Sequence, residues 1–372
     1  MNEKAQRNVY PRVLFAGTFD HLHDGHKHVL SESLRVTTDV LYIGFTTDEL
    51  ISRKRFAVAL EPLVLRKEKV DVYMKELIAS RSSSVQIVFL ETADSIGPAA
   101  SLDFDALVVT PETESGGVLV NDARRSLGNL PVSMITVPLF HNVSISDKMS
   151  STSIREHICM QLVHGEDDLK TLKESFLLIE ETGKWWSIVR DMYGLEPQRY
   201  YHNLQHVLEL LVQCDPADLH YKEFVMAIWF HDCVYNPSSS TNEEDSVLVL
   251  KKFSRETHLS DNIIESVSEV IRMTKDHLLY LREGKTDWAQ IFLEMDLSIL
   301  GAESGRYSEY SEQIKKEYSH VNDYEYERLK FLTRFENFKF SRLPNKSLLN
   351  ERLMTNIRNS ADTIIVQHVI DI

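Results

Sequence analysis

The spacing of apolar and polar residues divides the chain into two parts. From Val13 to about Thr136, short apolar runs alternate with longer amphipathic stretches, as where residues 40–45 are followed by residues 63–78. This alternation is typical of βαβ units, in which buried parallel strands are covered by helices. It predicts an α/β fold with a doubly wound, Rossmann-like parallel sheet. The site of such a sheet is expected at the carboxyl ends of its strands.

The alternation stops around residues 165–168, which read Gly-Glu-Asp-Asp. The remainder consists of amphipathic stretches at helical spacing with few strand-like runs, which predicts an all-α second domain. A length of 372 residues is enough for two or three domains with cores of their own. The predicted organisation is a first domain at 8–162, a linker at 163–171 and a second domain at 172–372.

Composition limits the classes of function. Hydrophobic residues make up 43% and charged residues 26% of the chain, which describes an ordinary globular protein. No apolar run reaches the roughly 18 residues of a membrane helix, and the first residues lack the apolar segment of a signal peptide. We therefore expect a cytoplasmic protein with no membrane partner.

Charge and cysteine content exclude two further classes. The formal net charge of −15 and the lack of a basic tract argue against a nucleic-acid partner, because phosphate contacts require clustered Lys and Arg. The three cysteines are far apart and predict neither a disulfide framework nor a thiolate zinc site.

The most chemically specific stretch is residues 16–27, Ala-Gly-Thr-Phe-Asp-His-Leu-His-Asp-Gly-His-Lys. It lies between a predicted strand and a predicted helix, so His23 and His26 fall where free backbone N–H groups favour an anion. Gly25 allows a phosphate to approach the backbone closely. On residue types alone, a structural turn with solvated histidines is an equal alternative.

A second stretch, residues 148–155, reads Lys-Met-Ser-Ser-Thr-Ser-Ile-Arg and is predicted to enter a helix. Together with residues 16–27 it resembles the paired HxGH and KMSKS-like motifs of the nucleotidyltransferase superfamily. The resemblance is closest to phosphopantetheine adenylyltransferase of the eukaryotic and archaeal type, over about residues 8–160. That family has a glycine where this chain has Ala16.

This resemblance implies transfer of AMP from ATP to 4'-phosphopantetheine, giving dephospho-CoA and pyrophosphate, with Mg²⁺ bound through the triphosphate. It implies that Thr18 holds the incoming phosphate and that His26, with His23 beside it, stabilises the reacting α-phosphate. The implied substrate- and ATP-binding residues are Gly17, Thr18, Phe19, Asp20, Gly25, Lys54, Arg66, Glu112, Lys148, Ser150, Ser151, Thr152 and Arg155. A solvated basic loop around Lys54 and a merely well-capped helix at 148–155 are the alternatives.

The second part carries its own cluster of histidines and carboxylates. His202 and His206 are four residues apart, His231 and Asp232 end an almost wholly apolar stretch, and Asp296 lies within another. An acid and an imidazole are costly to bury without a partner, and a metal ion is one such partner. The histidine pair alone is more often structural than metal-binding.

The order His, His-Asp, Asp resembles the HD metal-dependent phosphohydrolase superfamily, most closely a bacterial-type family of predicted HD phosphohydrolases over about residues 172–365. It implies that His206, His231, Asp232 and Asp296 bind a divalent metal, one of Mn, Fe, Co, Ni, Zn or Mg. By similarity to cyclic-nucleotide phosphodiesterases, His202 would act as the acid. Glu243, Glu244 and His277 are candidates for supporting these ligands or binding a second metal, and for the two glutamates, which begin a predicted helix, stabilisation of the helix dipole is equally open.

The combined expectation is a bifunctional enzyme of coenzyme A biosynthesis whose partners are ATP, 4'-phosphopantetheine and dephospho-CoA or CoA. Its second domain would hydrolyse a phosphomonoester or nucleotide. The alternative keeps the transferase and makes the HD domain a nucleotide-binding regulatory or oligomerisation module, and a homo-oligomer is left open. A third option is a nucleotidyltransferase that uses CTP and a phosphoalcohol.

Overall fold

The computed structural model describes residues 9–94, 96–138, 150–281 and 287–370. The chain divides into two compact units, Met1–Cys159 and Met160–Ile372. Among the described residues, no helix combines the length and apolar character needed to cross a bilayer.

The first unit is built on a five-stranded parallel sheet. Its strand order is β3-β2-β1-β4-β5, so the direction of winding reverses between β1 and β4. The predicted doubly wound parallel sheet is confirmed. The strands are β1 (Tyr10–Gly17), β2 (Thr37–Thr46), β3 (Gln86–Thr92), β4 (Ala106–Val109) and β5 (Ser133–Thr136).

Five α-helices accompany this sheet among the described residues, and those at 24–36 and 63–81 contribute apolar side chains to the core on one of its faces. They are α1 (Asp24–Val36), α2 (Asp48–Ile51), α3 (Leu63–Arg81), α4 (Glu114–Ser126) and α5 (Ser151–Met160). The core on one face of the sheet includes Val13, Phe15, Leu41 and Ile43, which are strand residues with alternating spacing. This packing fixes the carboxyl end of β1, where the loop to α1 begins.

Ala16 departs from the family pattern at a place where the sheet accommodates it. Ala16 pairs with Gly44 of β2, and a Cβ at position 44 would lie 2.9 Å from the Ala16 Cβ. Because Gly44 has no side chain, the methyl group of Ala16 fits without displacing either strand.

The second unit is helical throughout its described residues, as predicted. Its helices are α6 (Glu166–Leu177), α7 (Lys184–Gly194), α8 (Leu204–Leu211), α9 (Tyr221–Phe230), α10 (Asn242–Thr257), α11 (Asp261–Met273), α12 (His277–Tyr280), α13 (Trp288–Leu297), α14 (Ser304–Glu317), α15 (Tyr324–Thr333) and α16 (Lys346–Ile370).

An aromatic cluster forms much of the core of this unit. Phe176 of α6 contacts Trp186, Trp229, Phe230 and Phe253, with ring centroids 5.4 to 6.2 Å apart. Helix α9 is buried from Phe224 to Phe230, so His231 at its end is held inside the unit.

The segment predicted as a linker contains the start of α6. Its acidic residues Glu166, Asp167 and Asp168 occupy the first helical turn, where negative charge stabilises the helix dipole. Leu169 and Leu172 of the same helix are fully buried. The acidic run is therefore explained by the helix that it begins.

Candidate functional site

The first candidate site lies where β1 ends and α1 begins. His23 is the residue before the first turn of α1, and its Nδ1 accepts a hydrogen bond from the Gly25 backbone N–H at 3.1 Å. The His23 and His26 rings stack with centroids 3.9 Å apart. A Cβ on Gly25 would lie 3.0 Å from the His23 ring, so this packing requires glycine.

Both histidines are held in the neutral form. Burial, with smaller contributions from His23 and Lys54, lowers the pKa of His26 to about 3, and burial also lowers the pKa of His23. A neutral imidazole offers one N–H donor without carrying a charge. The pair is therefore suited to hydrogen bonding with an anion that other groups neutralise.

Lys54 and Thr18 meet beside these histidines. The Lys54 ammonium donates a hydrogen bond of 2.7 Å to the Thr18 hydroxyl, which also lies 3.3 Å from the Thr46 hydroxyl. Burial lowers the pKa of Lys54. The structure thus brings together two of the predicted phosphate-binding residues, 36 positions apart in the chain.

The start of α5 is tied to the loop after β1 by a buried ion pair. The Arg155 guanidinium donates to the Asp20 carboxylate at 2.5 Å, to the Arg55 carbonyl at 3.1 Å and to the Thr152 hydroxyl at 3.1 Å. The Ser151 hydroxyl donates to the Asp20 carbonyl at 2.7 Å. The two motifs of the sequence analysis therefore form one site, with Arg155 and Asp20 oriented toward each other.

Arg66 holds the same loop from α3. Its guanidinium donates to the backbone carbonyls of Thr18, Glu61 and Thr46 and to the Asp48 carboxylate. The bonds to Thr18 and Thr46 measure 2.6 and 2.9 Å. Arg66 is fully buried, so its contacts fix the backbone around the Thr18 hydroxyl.

The loop contains strained backbone. Phe19 and His21 have φ angles of 54° and 45°, a region that costs non-glycine residues free energy. Phe19 is buried with its ring against Phe15 and Phe45, and the His21 N–H donates to Glu61 at 2.7 Å. These contacts hold the backbone in a conformation that it would not adopt by itself.

The second candidate site brings together four side chains from α8, α13 and the end of α9. The Nε2 atoms of His206 and His231 are 3.1 Å apart, and Asp296 Oδ1 lies 3.4 and 3.7 Å from them. Asp232 Oδ2 lies 3.1 Å from His231 Nε2 and 3.9 Å from His206 Nε2. One atom each of His206, His231 and Asp296 lies within 4.8 Å of the other two, so these three side chains could hold a metal ion, and Asp232 lies beside the two histidines.

The chemistry of this donor set fits a divalent cation. Burial lowers the pKa of His231, but Asp232 and Asp296 raise it, with a net value of about 9. The two carboxylates therefore require positive charge at this point, which a cation supplies while displacing the imidazole proton. The His231 Nδ1 lies 3.0 Å from the Ile228 carbonyl, the kind of contact that orients a metal-binding imidazole.

His202 lies at the edge of this cluster and is held by Glu317. Its Nδ1 is 2.7 Å from Glu317 Oε2, its ring stacks on Tyr235 at 4.1 Å, and its Nε2 is 3.9 Å from Asp232 Oδ2. Burial lowers the pKa of His202, but Glu317, Asp232 and Asp296 raise it by more than burial lowers it. The pKa of His202 therefore lies above its ordinary value. His202 is therefore set up to carry a proton beside the cluster.

Comparison with known proteins bears on the first unit. The family model described as Cytidylyltransferase-like matches residues 14–157. A protein of Thermococcus kodakarensis named phosphopantetheine adenylyltransferase is 35% identical over 150 residues, which are 40% of this chain and 87% of the relative. The relative of the same name in Saccharomyces cerevisiae is 36% identical over 152 residues, or 48% of its length. The chain belongs to the phosphopantetheine adenylyltransferase family.

The structure also shows where the other predicted substrate- and ATP-binding residues of this member of the phosphopantetheine adenylyltransferase family lie. Glu112 is exposed in the turn after β4. Ser150 is the residue before α5, and its hydroxyl donates a hydrogen bond to the Ser153 hydroxyl. Gly17 lies under the Phe19 ring, which a Cβ would approach to 3.3 Å. Lys148 lies outside the described residues.

The further metal-site candidates differ in their placement. His277 Nε2 is 2.7 Å from Asp296 Oδ2, which places it next to the cluster. Glu243 lies 3.8 Å from Lys275, and Glu244 pairs with Arg272 at 3.0 Å on the surface. His277 is the candidate that contacts the cluster directly.

Glu317 was not identified from the sequence. It ends α14, which is rich in tyrosine and glutamate, and it is 115 positions from His202. No local pattern distinguishes it from the solvated glutamates of the same helix, so only the tertiary fold reveals it.

Proposed function

We propose that the first unit transfers AMP from ATP to 4'-phosphopantetheine and releases pyrophosphate and dephospho-CoA. The observation that carries the proposal is the stacked, neutral His23–His26 pair at the start of α1, with Lys54 and Thr18 beside it. Membership of the phosphopantetheine adenylyltransferase family supports the same reaction.

In this proposal the protein positions two phosphates and stabilises charge, because adenylyl transfer needs no covalent nucleophile. An oxygen of the 4'-phosphate bonds to the α-phosphorus as the bond to pyrophosphate breaks. Thr18 and Lys54 hold the incoming phosphate, and His26 donates a hydrogen bond to the α-phosphate.

In this proposal, other groups bind the remaining charged phosphates of ATP. The predicted ATP-binding residues Lys148, Ser150, Ser151 and Thr152 would face the triphosphate, with Mg²⁺ bound through its oxygens. Arg155 acts through Asp20, keeping the start of α5 against the histidine loop. Arg66 likewise fixes the backbone of Thr18.

We further propose that the second unit is a metal-dependent phosphohydrolase of the HD type. His206, His231, Asp232 and Asp296 would bind the cation, and a bound divalent ion lowers the pKa of water so that hydroxide forms near neutral pH. Hydrolysis joins a water oxygen to phosphorus and breaks the P–O ester bond. His202 gives its proton to the departing oxygen, and Glu317 keeps the imidazole oriented for this transfer.

The substrate class proposed for this second site is a phosphomonoester or nucleotide of the coenzyme A pathway. Hydrolysing the transferase's own substrate would waste it, so an oxidised or otherwise altered metabolite is favoured over 4'-phosphopantetheine itself. Two sites on one chain also share a high effective concentration of any common metabolite.

One experiment tests both proposals. The purified protein is incubated with 4'-phosphopantetheine, coenzyme A intermediates and nucleotides, with and without divalent metals, and the products are identified by mass. We expect dephospho-CoA from ATP plus 4'-phosphopantetheine, lost in His26→Ala, and metal-dependent phosphate release, lost in His202→Ala. Absence of the first product refutes the transferase, and binding of nucleotides without any hydrolysis would favour a regulatory second unit.

A further inference from the structure

The cavity beside the second cluster extends well beyond the proposed metal ligands. It has a volume of about 420 Å³, and His202, Asp232 and Asp296 lie along its wall. This volume falls within the usual range for small-molecule sites, roughly 300 to 1,000 Å³. Much of the rest of its lining is aromatic and includes Tyr310, Tyr318, Tyr324, Phe331 and Phe335. A ligand with a flat or apolar body would pack against these rings.

Arg328 of α15 also lines this cavity; it hydrogen-bonds to Tyr310, but among the described residues it forms no ion pair with a carboxylate. Its Nη2 atom is shielded from solvent and has no hydrogen-bond partner among the described residues. Its guanidinium lies over the Tyr310 ring at 5.0 Å and the Phe331 ring at 5.2 Å. Arginine remains charged at any physiological pH, and a shielded charge is costly unless an anion completes it.

The other two cations of the cavity wall are already engaged. Arg334 pairs with the Asp276 carboxylate at 2.5 Å. Lys275 donates to the Ser240 carbonyl at 2.5 Å and lies 3.8 Å from Glu243. Arg328 is therefore the cation in this described wall best suited to an anion brought by a ligand.

A short series of ring contacts separates Arg328 from the cluster. The His206 and Tyr201 rings are 4.8 Å apart, the Tyr201 and Tyr310 rings 4.7 Å apart, and Arg328 lies 5.0 Å from Tyr310. Arg328 and the Asp232 and Asp296 side chains of the cluster also line the same cavity. One anionic group can thus reach the cluster while a second reaches Arg328.

We propose that this cavity takes a phosphomonoester that carries a second phosphate, such as a nucleoside bisphosphate. The first phosphate lies at the cluster, the nucleoside packs against the tyrosine and phenylalanine rings, and the second phosphate pairs with Arg328. The inference rests on the proposed hydrolase. Only the first phosphate reacts: water supplies its oxygen to phosphorus, the ester P–O bond breaks, and His202 gives its proton to the departing oxygen, which leaves as the nucleoside hydroxyl.

The test compares adenosine 3',5'-bisphosphate with AMP and with p-nitrophenyl phosphate, using phosphate release by the full chain with added metal. We expect a KM for the bisphosphate at least about tenfold below that for AMP, since a charge-assisted contact is worth roughly tenfold or more in affinity. Arg328→Gln should remove this advantage, so that the KM for the bisphosphate rises to about that for AMP. Arg328→Lys, which keeps the charge without the planar fork, should retain part of the advantage.

Two further variants, at Lys330 and Arg334, show whether Arg328 itself causes the lower KM for the bisphosphate. Lys330→Gln removes an exposed cation of the same helix and should preserve the advantage of the bisphosphate. If that advantage is absent in the wild type, or survives in Arg328→Gln and disappears in Arg334→Gln, the inference is wrong.

A separate outcome distinguishes the inference from the hydrolase. If no phosphate is released from any compound, the hydrolase proposal fails. Calorimetry of bisphosphate binding then tests whether the cavity binds a ligand with two phosphates. Binding of the bisphosphate that is lost in Arg328→Gln and kept in Lys330→Gln supports the two-anion pocket. Equal binding in wild type and Arg328→Gln overturns it, because any binding by the transferase unit is common to both.

Discussion

Asp20 and Arg155 form an ion pair that is shielded from solvent, although 135 positions separate them in the chain. Asp20 is 0% exposed and Arg155 2% exposed, and the second oxygen of Asp20 accepts the Glu61 N–H at 2.9 Å. The pair joins the loop after β1 to the start of α5. The geometry of the histidine site therefore depends on a residue that does not need to touch a substrate.

Replacing Arg155 with Met should destabilise the first unit by about 3 to 5 kcal/mol, because it leaves the Asp20 carboxylate buried without its cation. All four tryptophans are in the second unit, at positions 185, 186, 229 and 288. When urea unfolding of Arg155→Met is monitored by circular dichroism, the first unit should thus unfold at a lower urea concentration than in the wild type. Tryptophan fluorescence should not show this transition. Arg55→Gln, which removes the exposed pair with Glu156 and an exposed contact with the Phe56 ring, should change stability by about 1 kcal/mol or less. Equal effects of the two variants would contradict this role.

His26→Ala should reduce pyrophosphate release from ATP and 4'-phosphopantetheine by at least about a hundredfold, the usual cost of losing one donor to a developing charge. Single-turnover assays measure this step directly. His28→Ala is the matched control, because residue 28 is on the same helix two positions on and points away from residue 26. Full activity in His26→Ala would rule out the assignment, and metal content should be the same in all three proteins.

The lowered pKa of His26 also predicts a pH dependence of stability. In the unfolded chain, His26 binds a proton as the pH falls below about 6.5. In the folded chain it binds the proton only as the pH approaches the lowered pKa of about 3. The contribution of His26 to folding stability therefore falls as the pH decreases from 6.5 toward 3, by up to about 2 kcal/mol at pH 5.

Unfolding of the first unit at pH 7 and pH 5 measures this contribution. His26→Ala should lose less stability than the wild type between the two pH values, since the other titrating groups are common to both. Parallel losses in the two proteins would show that His26 titrates normally.

The sequence could predict the elements of the fold that repeat locally. Apolar runs of strand length separated by amphipathic stretches indicated the parallel sheet, and residues 16–27 identified the turn at the end of β1. The sequence also suggested that His231, Asp232 and Asp296 belong together, because they lie in apolar surroundings where such side chains need a partner; that they bind a metal stays a prediction.

Contacts between distant positions could not be predicted in this way. The sequence gives Arg155 as a cation next to hydroxyl groups, which suggests a phosphate ligand as readily as a partner for Asp20. The same limit applies to Glu317, whose distinction from its neighbours is burial against His202. The acidic run at 166–168 was ambiguous for a local reason, since a linker and a first helical turn both favour carboxylates.

Replacing Asp232 with Ala should abolish binding of a divalent metal by the second unit, because it removes one of four proposed ligands. Elemental analysis after gel filtration measures the metal content. Asp276→Ala is the control, since the Asp276 carboxylate lines the same cavity but pairs with Arg334 and is not a proposed ligand. If Asp232→Ala retains as much metal as Asp276→Ala, the proposed ligand set is wrong.

Glu317→Gln should lower the rate of phosphate release while metal binding is preserved, because Glu317 orients and charges His202 without being a proposed ligand. We expect a loss of about 10- to 100-fold in kcat, as is usual when a group that orients an active-site side chain is removed. The loss should be largest for alkyl phosphates, whose departing oxygen needs a proton, and small for p-nitrophenyl phosphate, whose leaving group does not.

The control for this prediction is Glu312→Gln, an exposed glutamate on the same helix. It should leave both substrates unaffected. A uniform decrease for the two substrates in Glu317→Gln, or a fall in metal content, would mean that Glu317 stabilises the structure instead of serving the proton transfer. A decrease confined to the alkyl phosphate has no such structural explanation, since distortion of the cluster would slow both reactions.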